Sequence, residues 1–66
     1  MSVAKTIEVI ASSTESIEDA IRDGITKVSE TVSGIEGAWV KDTKVVVGNN
    51  TVTEWRVTLM VTFIVQ

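Results

Sequence analysis

The stretch Thr51 to Val65 constrains this chain more than any other. From Trp55 onward every odd position is apolar: Trp55, Val57, Leu59, Val61, Phe63 and Val65. The even positions are mixed: Glu54, Arg56, Thr58, Met60, Thr62 and Ile64. A period of two places these sets on opposite faces of one β-strand. The odd face is a core face. The even face is too apolar for open water, because Met60 and Ile64 interrupt its polar run. So long a strand, apolar on both sides in a 66-residue chain, predicts a protomer that completes its burial against copies of itself.

Length allows one domain, residues 1–66. A core this small only just offsets chain entropy, and such domains lean on disulfides, metals or oligomerisation. The chain has no Cys and no His, which removes disulfides and the usual zinc or haem sites. Oligomerisation remains. The same absence leaves no nucleophile–base pair to assemble, so the chain reads as a non-enzyme. No basic-plus-apolar leader precedes the first strand, and no fully apolar run exceeds three residues, as in Val45-Val46-Val47. The expectation is a cytoplasmic protein with no membrane segment. A net charge of −3 argues against a nucleic-acid partner, which needs a basic face.

Lys5 to Ala11 reads as a first strand, with Ile7 and Val9 on one face and Glu8 and Ile10 on the other. Ser12-Ser13-Thr14 follow as a stop. Ser13 is the expected helix N-cap, and Ser12 with Glu15 has capping-box spacing. Ile17, Ala20, Ile21, Gly24, Ile25, Val28 and Val32 recur every three or four residues, as in a long amphipathic helix. Glu15, Glu18 and Asp19 suit the positive end of the helix dipole, and Lys27 the negative end. Gly24 lies on the apolar stripe, where it lets the helix approach the sheet. Ser33-Gly34 ends the helix, with Gly34 as a left-handed residue. Ala38 to Val47 form a second strand, and Gly48-Asn49-Asn50 turn it into the third. The expected fold is α+β: a β-α-β-β protomer with a three-stranded antiparallel sheet packed on one long amphipathic helix.

Few residues offer chemistry. The carboxylates of Glu15, Glu18, Asp19 and Asp23 read as a solvated helix face. The four glycines are scattered and form no phosphate loop. Asp42, Glu54 and the Asn49-Asn50 turn offer oxygen ligands for a hard cation, without EF-hand spacing. Of the three aromatic residues, Trp55 and Phe63 fall on the core face of the third strand. Trp39 does not. Simple alternation puts Ala38, Val40 and Asp42 on one face of the second strand and Gly37, Trp39 and Lys41 on the other. If the first set meets the helix, Trp39 points away from the core, as a subunit interface or a ligand platform.

The chain resembles the dodecins end to end, without a gap. The residues that carry the likeness are Thr6-Ile-Glu-Val-Ile-Ala-Ser-Ser-Thr-Glu-Ser16, Ala20-Ile21 with Ile25, Ala38 with Val40, and Trp55-Arg-Val-Thr-Leu-Met-Val-Thr-Phe-Ile64. The resemblance implies a homododecameric flavoprotein shell that stores a flavin, FMN or riboflavin, without catalysis. Flavin-binding dodecins stack the ring on a Trp at the start of the second strand and hydrogen-bond its edge with a Gln on the third. Here those positions hold Gly37 and Arg56. Loss of an aromatic stack costs about 1–3 kcal/mol, and Arg56 donates hydrogen bonds but accepts none. The resemblance therefore implies an altered pocket of Gly37, Trp39, Lys41, Arg56 and Thr58, for a flavin or another flat or anionic ligand. Relatives without the stacking Trp are linked to calcium, so the alternative is a dodecin-like assembly with an ion-binding or scaffolding role.

Overall fold

The computed structural model describes residues 2–65. Strand β1 (Val3–Ser13) leads into helix α1 (Ile17–Ser29), followed by β2 (Ile35–Gly48) and β3 (Thr51–Val65). The sheet order is β1-β3-β2, with both pairings antiparallel. The strand with the strongest alternation is thus the central one. The element order, sheet and single helix match the sequence reading, and β3 has the bounds that alternation suggests.

Rows across the sheet define its two faces. On the helix side, Ile7–Val61–Ala38 and Val9–Leu59–Val40 are in register across β1, β3 and β2. Val57, Leu59, Val61 and Ala20 are fully buried, with Ile17, Ile21, Ile25 and Val28 packed on them. Gly24 sits at the tightest point. A Cβ there would lie 2.9 Å from the Ala11 Cβ and 3.0 Å from the Leu59 Cδ1. Close approach, as the sequence suggests, is its role.

Several boundaries differ from expectation; β1 starts earlier, at Val3 rather than Lys5, and β2 runs one residue on, to Gly48. β1 runs on to Ser13, because its partner β3 is long enough to keep pairing, with Ser13 opposite Trp55. The N-cap is Ser16, whose Oγ accepts from the Asp19 N–H at 3.0 Å. Ser13 caps the turn before it: its Oγ accepts from the Glu15 N–H at 2.8 Å and donates to Asp19 Oδ2 at 2.8 Å. The helix ends at Ser29, not Val32. A last turn follows in which the Thr31 and Val32 N–H groups both donate to the Val28 carbonyl. Gly34, at φ 79°, then reverses the chain as expected, and its carbonyl accepts from the Ile64 N–H at 2.9 Å. β2 begins at Ile35 rather than Ala38 because β3 extends far enough to pair with it.

Asn49 and Asn50 form a two-residue hairpin loop between the Gly48–Thr51 pair. Both have positive φ, 52° and 60°, the signature of a type I′ turn that matches strand twist. Asn tolerates that conformation better than other side chains.

The helix packs on β1 and β3. The helix-side residues of β2 stay open: Val40, Val45 and Val47 are 40–59% exposed. Among the described residues no helix is long and apolar enough to cross a membrane.

Candidate functional site

The face of the sheet opposite α1 carries the residues singled out from sequence. Its rungs, read across β1, β3 and β2, are Thr6–Thr62–Gly37, Glu8–Met60–Trp39, Ile10–Thr58–Asp42 and Ser12–Arg56–Lys44. Trp39 points away from the helix, as alternation suggests, and is 55% exposed. Beside it the backbone of Gly37 leaves open space, since an added Cβ would meet nothing within 4 Å. Thr58 is buried at 7% although its neighbour Ile10 is 70% exposed. Thr6 and Thr62 share a hydroxyl hydrogen bond at 3.2 Å.

One facial assignment is overturned. Register shifts between Val40 and Asp42, so Val40 faces Leu59 and Asp42 faces Thr58. A β-bulge places two residues against one and breaks the alternation there. Lys41 keeps its expected side, where its Nζ meets Glu8 Oε1 at 3.5 Å. Asp42 joins it instead of sharing a face with Ala38 and Val40. The bulge thus adds a carboxylate to the candidate surface and shifts Lys44 onto it, opposite Arg56. Sequence reading missed Lys44, because strict alternation carried past Asp42 assigns it to the helix side.

Arg56 is held toward the hairpin end. Glu54 Oε2 accepts from its Nη2 at 2.7 Å and its Nε at 3.1 Å. Both side chains are partly exposed, so the pair stabilises the fold by about 1 kcal/mol at most. Its effect is geometric: it draws the guanidinium away from Trp39. Gly37, Trp39, Lys41, Thr58 and Arg56 therefore share one face. Gly37 and Arg56 nevertheless lie at opposite ends of it, six residues apart on the β3 scale, or about 20 Å.

The candidate cation donors do not converge. Asp42 pairs with Thr58, and Glu54 lies four residues farther along β3, about 13 Å away. Glu54 is already engaged by Arg56, and Asn49-Asn50 form the hairpin tip. Among the described residues no group of three acidic side chains could hold a metal ion. A concavity of about 270 Å³ opens between α1 and β1, lined mainly by Val9, Ala11, Gly24 and Val28 with Asp23 and Lys27. It lies on the helix side of the sheet, holds none of the candidate residues and offers no aromatic surface. Trp39 and its surroundings remain the better candidate.

A family model, Dodecin, matches residues 3–66. No curated protein sequence matches the chain. Among solved structures, an arginine-to-alanine mutant of the Thermus thermophilus dodecin has a TM-score of 0.95 at 27% identity, covering 100% of this chain and 98% of that one. The dodecin from Streptomyces davaonensis has a TM-score of 0.95 at 23% identity, with 98% and 96% covered. That from Streptomyces coelicolor has a TM-score of 0.95 at 22% identity, with 98% and 93% covered. These last two share the fold. With a family match over nearly its whole length and the β-α-β-β architecture to go with it, the chain belongs to the dodecin family.

Proposed function

We propose that this protein is a non-enzymatic, cytoplasmic dodecin that assembles as a homododecamer and sequesters a flat small molecule, FMN, riboflavin or a similar ring. The carrying observation is Trp39, 55% exposed on the sheet face away from the helix, beside the open space over Gly37. An indole so exposed is a stacking surface. It stands one rung from the position where flavin-binding dodecins have their Trp, so the ring stacks from a shifted position. Gly37, Lys41, Arg56 and Thr58 complete the binding face.

Assembly is supported by what the protomer leaves open. Val40, Val45, Val47 and Val52 are 40–59% exposed along the β2–β3 hairpin. A patch of this kind marks an interface. With no cysteine to staple the fold, association supplies the missing burial.

The test is direct. The purified protein is titrated against riboflavin and FMN, and quenching of flavin fluorescence is followed together with the visible spectrum. Quenching at micromolar protein that disappears in Trp39→Ala supports the reading. Absence of quenching for both flavins refutes the flavin reading. Light scattering tests assembly separately, where a monomer at ordinary concentration counts against the shell.

A further inference from the structure

We propose that the free edge of β1 pairs with the β1 of a second copy, antiparallel and two-fold, with Ile10 opposite Ile10. This contact lies at the sheet edge away from β2 and does not rest on the reading of the Trp39 face.

The backbone groups at this edge can be assigned. The Ile64 N–H donates to the Gly34 carbonyl, on the β2 side. In an antiparallel strand a residue sends its N–H and C=O the same way, so Ile64 is not hydrogen-bonded to Ala4, which faces it on β1. The β1–β3 register has no shift. Ala4, Thr6, Glu8, Ile10 and Ser12 therefore all point their N–H and C=O groups out of the sheet. Among the described residues no turn, loop or cap takes up these groups. Unpaired edges recruit strands, and proteins blunt them with bulges, proline or charge. The other edge, β2, has three register shifts. β1 has none, and Val9 to Ser13 holds neither proline nor charge.

The surroundings of this edge select a copy of the same chain. Ile10 is 70% exposed, more than any other large apolar side chain described. Pairing centred on Ile10 covers each copy's side chain with the other's. Centring on Glu8 would oppose two carboxylates, and centring on Val9 would set each Ile10 against Glu8. With Ile10 central, Glu8 of each copy faces Ser12 of the other, whose hydroxyl donates to the carboxylate. Glu8, Ile10 and Ser12 then exchange backbone hydrogen bonds between the copies.

The helix side fits the same two-fold. Val9 of each copy stands opposite Ala11 of the other, at the mouth of the concavity between α1 and β1. Ile10 and Ser12 line that concavity although their side chains lie on the outer face, so it opens at the backbone of this edge. Asp23 and Lys27 line it too, and neither has an ion-pair partner among the described residues. The two-fold reverses the second helix, which turns Asp23 of each copy toward Lys27 of the other.

Disulfide formation tests the register, because the chain has no cysteine of its own. Hydrogen-bonded partners lie about 5.5 Å apart at Cα, within disulfide reach. Under mild oxidation Ile10→Cys is expected to link copies at least about tenfold faster than Ser12→Cys, whose partner is Glu8. Combining Glu8→Cys with Ser12→Cys in one chain restores fast linkage. In the Ile10→Cys background, Asp23→Lys and Lys27→Asp each slow the linkage. The two together restore it, a recovery that misfolding would not produce. Equal rates for Ile10→Cys and Ser12→Cys, or no linkage in either, overturn the pairing. Those results leave assembly through the hairpin valines standing, which light scattering reads separately.

Discussion

Replacing Gly24 with alanine tests the packing that fixes the helix on the sheet. In an isolated helix the change is favourable, because alanine exceeds glycine by about 1 kcal/mol in the interior. Here the new Cβ would lie 2.9 Å from the Ala11 Cβ and 3.0 Å from the Leu59 Cδ1. The Leu59 contact is the end of a side chain, but Leu59 is 1% exposed and its surroundings are filled. The Ala11 Cβ is fixed to the backbone of β1 and moves only with the strand. Overpacking of this kind costs about 1–3 kcal/mol. Steric cost exceeds helix gain, and a net loss of about 1 kcal/mol is expected, or a midpoint lowered by about 4–8 °C for a domain of this size. The assay is thermal and urea unfolding at one fixed chain concentration, since association couples to stability. Removing the fixed obstacle in the double variant Gly24→Ala/Ala11→Gly is expected to recover part of the loss beyond additivity. Should Gly24→Ala prove as stable as the parent chain or more so, the close-approach argument is wrong.

Three further outcomes follow from the geometry. Ser13→Ala removes a buried hydroxyl that accepts from the Glu15 N–H and donates to Asp19, so chemical denaturation is expected to show a loss of about 1–2 kcal/mol. Asn50→Val places a β-branched residue at φ 60° and is expected to cost about 1–2 kcal/mol, whereas Asn50→Gly is expected to be at least neutral, by the same measurement. Gly37→Trp enters open space and is expected to shift stability by no more than about 0.5 kcal/mol. Combined with Arg56→Gln it should raise riboflavin quenching above that of the parent chain, and unchanged quenching would contradict the placement of Gly37 on the binding face.

The sequence by itself determined the class of fold. Alternation from Trp55 to Val65 defined β3 and its core face, and the stripe from Ile17 to Val28 defined the helix. Gly24, Gly34 and the Asn pair were legible because each answers a local demand: a close approach, a left-handed residue, a tight turn. Trp39 could be placed on the outer face because the alternation from Gly37 to Val40 is unbroken. What lay beyond reach was whatever depends on a partner strand. β1 and β2 extend past their sequence signals because β3 offers hydrogen bonds that far. Ser16 rather than Ser13 caps the helix, since Ser13 is still paired with Trp55 in the sheet. The bulge at Lys41 has no mark in its own residues, yet it decides that Asp42 and Lys44 join the candidate surface. A one-residue shift exchanges the faces of everything that follows it. Which charges stand around Trp39 was therefore settled by pairing between distant strands, while the strand that carries Arg56 was already legible in its own alternation.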